Sequence, residues 1–148
     1  METDVESSGT ITFNLTFHGF YHERRLYEMP DESGIFCVYA GREKPASLDV
    51  VMRKLIYIGE TRKIRTRLMN HERRDDWLQH VYPDERLWFS YALSDFDERL
   101  QLEQALVFHH QPPKNTSYVD TFNQPPTKVN LFGDIPLLDK KFSVSSTD

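Results

Sequence analysis

Gly34-Ile35-Phe36-Cys37-Val38-Tyr39-Ala40 and Lys54-Leu55-Ile56-Tyr57-Ile58-Gly59 are the two stretches whose reading decides the fold. Each is short, rich in β-branched and aromatic residues, and bounded by glycine or polar punctuation, as adjacent central strands are. Outward from this pair, Thr10 to Phe17 alternates Ile11, Phe13, Leu15 and Phe17 with polar residues and reads as a half-buried edge strand. Arg86 to Leu93 reads as a third core strand. A helix is expected from Thr61, as N-cap, to about Arg74, with Ile64 and Leu68 on its buried side. Trp77, Leu78 and Val81 suggest a second helical segment closed by Pro83, and Ser94 with Asp97 resembles a capping box that opens a helix from Asp95 to His110. Residues 117 to 148 are rich in Pro, Thr, Asp and Ser, with Val129, Leu131, Ile135, Leu137 and Leu138 as anchors. This tail is expected to pack along the domain without catalytic work, its last residues fraying.

The chain has 148 residues, which suits one domain able to bury a real core. Its single cysteine, Cys37, stands in an apolar run, so a buried structural thiol in a reducing compartment is the natural reading. The acidic start Met1-Glu2-Thr3-Asp4-Val5-Glu6 has no secretory pattern and no run is long enough to span a bilayer, so the expectation is a cytoplasmic protein with no membrane partner. Net charge is -5, an unexpected sign for a protein that meets nucleic acid. Residues 53 to 74 nevertheless hold eight basic residues against two acidic ones, Glu60 and Glu72. Such asymmetry points one face at an anion, although by itself it also describes an ordinary solvated helix face.

Tyr57, which begins Tyr57-Ile58-Gly59, follows Phe36, which ends the triplet Gly34-Ile35-Phe36, by twenty-one positions. Arg67 follows Gly59 by eight residues, His71 stands four further on, and Asn115 follows Glu103 by twelve. In order and spacing, positions 34 to 115 resemble the GIY-YIG nucleases. The resemblance implies a small α+β domain of the GIY-YIG type: a central, mainly antiparallel three-stranded sheet flanked by helices, with an extra N-terminal strand and a C-terminal tail. On this reading residues 1 to 148 form one domain with its motif core at 34 to 115 and an extension at 117 to 148. The triplets of the family usually stand closer together, so Arg42 to Met52 reads as an insertion at a hairpin tip.

Glu103 points to a site independently of any family. Its neighbours at helical spacing are Leu100, Leu106 and Val107, with Arg99 the one nearby charge. A carboxylate on that stripe needs a partner, either a salt bridge to Arg99 or a metal. The resemblance selects the metal, and a hard oxygen ligand standing nearly alone suits Mg²⁺ or Mn²⁺. The implied catalytic set is then Tyr57 as acceptor of the proton from water, Arg67 on phosphate, Glu103 as metal ligand, Asn115 fixing the geometry and His71 positioning water or tyrosine. His71 as a plain helix-end residue is the bland reading. Lys63, Arg67, His71 and Arg74 should form one helical stripe, with Lys63, Arg65, Arg67 and Arg74 facing nucleic acid.

Two departures from the pattern matter. Phe36 stands where the first triplet usually ends in tyrosine, and Tyr39 is no substitute because its odd offset directs it to the opposite face. Glu60, just after the second triplet, would weaken phosphate binding or add a metal ligand. The function implied is a metal-dependent endonuclease acting on DNA, with RNA not excluded, free-standing as a monomer or homodimer. The alternative is a catalytically weakened nucleic-acid or protein-binding module of the same fold.

Overall fold

The two triplet-bearing stretches pair with each other. In the computed structural model, which describes residues 2–5, 9–47 and 49–147, β3 (Gly34–Glu43) and β4 (Val50–Thr61) form an antiparallel hairpin with Phe36 opposite Gly59 and Val38 opposite Tyr57. The expected insertion is partly more strand: the arms extend to Glu43 and Val50, taking in five of its eleven residues, and the rest form the tip, with Leu48 outside the described residues. On its other side β3 pairs with β5 (Arg86–Leu93), Phe36 facing Tyr91. A strand covered on both edges and both faces must be apolar throughout, and residues 34 to 41 are all buried. The triplet glycines have a steric role. A Cβ at Gly59 would stand 2.4 Å from Phe36 Cζ, and one at Gly34 would stand 2.2 Å from the Ala92 carbonyl oxygen.

The sheet is larger than the three antiparallel strands expected. Among the described residues it has seven strands, in the order β4-β3-β5-β2-β6-β7 with β1 (Glu2–Val5) added on β2 (Ile11–Tyr21). The N-terminal strand is therefore no edge. The latter part of β2 pairs with β5, while residues 11 to 17 run parallel to β6 (Thr127–Gly133). β7 (Lys141–Val144) closes that side antiparallel to β6. The chain is thus α+β with a mixed sheet. The tail belongs to the sheet because β2 presents backbone donors and acceptors that a loose tail would leave unpaired, and because Val129, Leu131, Phe142 and Val144 join Phe13, Leu15 and Phe17 in one core. Of the expected anchors, Val129, Leu131 and Leu138 are buried, Ile135 is partly so, and Leu137 is exposed. Nor does the end fray at Thr147, whose N–H donates to the Phe122 carbonyl while its hydroxyl accepts from the Phe122 N–H.

Side chains alternate along β3 between two cores. Ile35, Cys37 and Tyr39 enter a cluster with Leu102, Ala105 and Leu106 of α3 (Arg99–His110). Phe36 and Val38 enter the opposite cluster with Ile64 and Leu68 of α1 (Ile64–Met69) and Trp77 of α2 (Arg74–Leu78). The helix expected from Thr61 to Arg74 is shorter, running from Ile64 to Met69, while the second segment expected around Trp77 and Leu78 is α2. Asn70 leaves helical backbone and its side chain donates to the Thr66 carbonyl, while the His71 ring turns into the core. Thr61 is no N-cap: its hydroxyl accepts from the Lys63 N–H before the helix starts. α3 likewise begins at Arg99 and not at Asp95, and the Ser94 hydroxyl is buried without a partner among the described residues, so no capping box forms. Gln111, in left-handed backbone, ends α3 before the two prolines. No helix among the described residues is long and apolar enough to cross a membrane.

Candidate active site

β4 is the terminal strand of the sheet, and its outer edge is occupied by the loop that follows α3. Lys114 N–H donates to the Ile56 carbonyl at 3.1 Å. The Asn115 side chain then imitates a strand residue: its Oδ1 accepts from Ile58 N–H at 3.0 Å and its Nδ2 donates to the Ile58 carbonyl at 2.7 Å. Both polar groups of a central motif residue are thereby satisfied, and the loop is fixed against Tyr57. A cleft of about 190 Å³ opens there, lined by Tyr57, Arg73, Glu103, Asn115 and the loop residues 116 to 118. Three of the five expected catalytic residues share one small concavity although they come from a strand, a helix and a loop.

Glu103 is the most informative of them. Arg99, its one candidate salt-bridge partner, is committed elsewhere: its guanidinium pairs with Glu60 and donates to Ser33 Oγ at 2.8 Å. The Glu103 carboxyl has no ion-pair partner among the described residues. Burial, and next the nearby charge of Glu60, push its pKa up to about 7, against a hydrogen bond from the Glu60 backbone and the charge of Arg99. Glu60 is accordingly held by Arg99 and acts on the site through its field and its backbone.

Tyr57 is half-buried between Phe36 and Trp77, with ring centroids at 6.0 and 5.5 Å. Burial and the Glu103 charge raise its pKa, while Arg73 and Arg67 lower it. The Arg73 guanidinium lies 5.4 Å from the ring centroid and donates to the Lys114 carbonyl at 2.7 Å. Arg73 is the site residue that sequence reasoning missed. Its only signal was membership of the basic segment, because the expected continuous helix pointed it away; the break at Asn70 brings it round.

His71 lies outside both helices and is almost fully buried, 4.4 Å from the Trp77 ring and 5.9 Å from that of Tyr57. Burial, then the charge of Arg67, push its pKa down to about 4, so the ring is neutral at pH 7. Its Nδ1 accepts the Arg73 backbone N–H at 3.1 Å, which assigns the proton to Nε2, and Nε2 is buried with no acceptor among the described residues. The ring stands 5.8 Å from Phe36, on which the missing hydroxyl would have been carried.

The helical stripe is not formed. Arg67 holds Glu72 through two bonds of 2.6 and 2.9 Å, Arg74 is paired with Glu23, and Arg65 turns toward the Met29 carbonyl and Asp31. Lys63 is exposed at the start of α1. The structure thus brings Tyr57, Glu103 and Asn115 together, sets Arg67 and His71 around Tyr57, and leaves Lys63, Arg65 and Arg74 outside the cleft. Cys37 is a buried free thiol whose pKa burial pushes up to about 12, in keeping with a structural role. Compared with known proteins, the chain matches no family model, no curated protein and no solved structure.

Proposed function

We propose that the chain is a GIY-YIG-type endonuclease that hydrolyses phosphodiester bonds in DNA with Mg²⁺ or Mn²⁺. The observation that carries this reading is the convergence of Tyr57, Glu103 and Asn115 on one cleft, with Arg73 beside them. The hairpin that sets Phe36 opposite Gly59 supports a fold of that type. The donor set fits a hard divalent ion: one carboxylate, half-buried and free of an ion pair among the described residues, suits a cation that keeps most of its waters. Glu103 would hold that ion, which supplies charge neutralisation at the leaving 3′-oxygen.

The remaining work belongs to the chain's own groups. Tyr57 accepts the proton of the attacking water, and Arg73 and Arg67 stabilise its phenolate. Arg67 offers its planar fork to phosphate, exchanging Glu72 for substrate. The exchange costs little, since Arg67 and Glu72 are 37% and 65% exposed and such surface pairs are worth about 0–1 kcal/mol. Asn115 holds the β4 backbone beside Tyr57, and neutral His71 packs behind its ring. With one buried reduced thiol, the enzyme works in the cytoplasm.

The binding-module reading is favoured by one observation: Phe36 brings no hydroxyl to a buried position facing Tyr57 and His71. One assay separates the two. Purified protein is incubated with supercoiled plasmid, single-stranded DNA, branched DNA and RNA in Mg²⁺, Mn²⁺ or EDTA. Metal-dependent nicking or linearisation supports the nuclease; binding without cleavage on every substrate supports the module.

A further inference from the structure

About two turns along α3 from Glu103, the helix ends in two consecutive histidines outside the cleft lining, and the C-terminal extension delivers a carboxylate to them. His109 Nε2 lies 2.6 Å from Asp139 Oδ2, and His110 Nε2 accepts the Asp139 N–H at 3.0 Å. One ligand atom from each of His109, His110 and Asp139 lies within 4.8 Å of the other two.

Each imidazole is also held from behind. His110 Nδ1 donates to the Leu106 carbonyl at 2.9 Å, which keeps its proton on Nδ1 and turns the Nε2 lone pair toward Asp139. That outer hydrogen bond is the one that orients metal-binding histidines. His109 stacks on Phe142 at 4.1 Å with the planes 7° apart, and the edge of Phe142 meets His110 at 5.2 Å. Asp139 is delivered by a turn in which Leu137 adopts φ 62°, a left-handed backbone that a non-glycine residue with a bulky side chain rarely enters. An ion pair between His109 and Asp139 needs neither the aligned second histidine nor the strained turn.

We propose that His109, His110 and Asp139 bind a borderline transition-metal ion, Zn²⁺ or its like, with solvent completing the shell, and so tie the C-terminal extension to the helix that carries Glu103. Two imidazoles and one carboxylate suit Zn²⁺ and not Mg²⁺. The C-terminal end of a helix carries partial negative charge, which favours a cation there. Binding draws the three atoms together to the spacing set by bonds of about 2.0–2.2 Å. Asp139 moves easily, being 68% exposed, and its N–H turns from His110 to water as the metal takes that lone pair.

The test uses the full chain, stripped with chelator and titrated with Zn²⁺ by calorimetry, with Co²⁺ as a visible-absorption probe and thermal melts alongside. Stoichiometric Zn²⁺ binding that millimolar Mg²⁺ does not displace, and a higher Tm in Zn²⁺, are expected. H109Q and D139N, both at partly exposed positions, should each lose at least about 10-fold in Zn²⁺ affinity together with the Tm rise, while circular dichroism shows them folded. E103Q should keep both, which separates this ion from the cleft. No saturable Zn²⁺ binding by the folded chain, or undiminished binding in both H109Q and D139N, overturns the proposal.

Discussion

Glu103→Gln should make the metal-free protein more stable while abolishing cleavage. Burial and the charge of Glu60 hold the Glu103 carboxyl at about 7 in the folded chain against 4.5 ordinarily. The folded state therefore binds this proton more tightly than the unfolded one. The stabilisation it confers is complete below pH 4.5 and is lost as pH rises through about 7. At about 1.4 kcal/mol per pH unit, the gap corresponds to roughly 3 kcal/mol of destabilisation once the group is ionised. Glutamine keeps the shape and the acceptor for the Glu60 backbone but carries no charge. The variant should match wild type near pH 4.5 and exceed it by roughly 3 kcal/mol near pH 9, which for a domain of this size is roughly 10 °C in Tm. Thermal melts across that range in EDTA measure it. Saturating Mg²⁺ should then raise the wild-type Tm at pH 8 and leave the variant unchanged. A variant no more stable than wild type at pH 9 would refute the argument that Glu103 is an uncompensated carboxylate waiting for a cation.

Tyr57→Phe should lose about 10²- to 10⁴-fold in cleavage rate, whereas Phe36→Tyr should leave the rate unchanged or raise it; wild-type rates in Tyr57→Phe would rule out that base. Were wild type inactive on every substrate and Phe36→Tyr to switch cleavage on, the binding-module reading would stand. Arg73→Ala should lower cleavage by at least about 10-fold, and equal rates in variant and wild type would return Arg73 to a purely structural contact with Lys114. His71, whose folded pKa lies near 4 against 6.5 ordinarily, contributes stability that is present above pH 6.5 and lost as pH falls through about 4. Urea denaturation of His71→Gln should accordingly show a flatter acid limb by roughly 3 kcal/mol across that interval, and an unchanged slope would contradict the buried neutral ring.

The strand pair and the cleft residues on it were legible because they depend on local pattern. Alternation along β3 sends Phe36 and Tyr39 to opposite cores, as their odd offset requires. The helix after the second triplet was misread because nothing local announces its break. Residues 61 to 74 carry good helix formers, yet burial of the His71 ring between Tyr57 and Trp77 overrides propensity, and that same break makes Arg73 a cleft residue. The extension was misread for the opposite reason. Its prolines and polar residues look like a tail, and the alternation of Thr127, Val129 and Leu131 acquires meaning only beside Phe13, Leu15 and Phe17, more than a hundred residues away.

The charges around the cleft make one carboxylate answerable for two roles. The Glu103 charge is, after burial, the largest influence holding the Tyr57 phenol above its ordinary pKa, while Arg73 and Arg67 pull the other way. On the proposed reading a cation held by Glu103 would cancel that repulsion and add attraction, so the residue that recruits the metal would also govern whether Tyr57 accepts a proton. In the metal-free cleft both groups are held back: burial and the Glu60 charge push the Glu103 carboxyl up to about 7, and burial and the Glu103 charge hold the Tyr57 phenol above its ordinary pKa. Arg67 adds a third restraint while it is bound to Glu72. On the proposed reading the ionised carboxylate and the free guanidinium would be engaged only when metal and phosphate arrive together, and a chain of net charge -5 with three of its four expected DNA-facing cations held by carboxylates would meet DNA through that cleft and not through a broad basic surface.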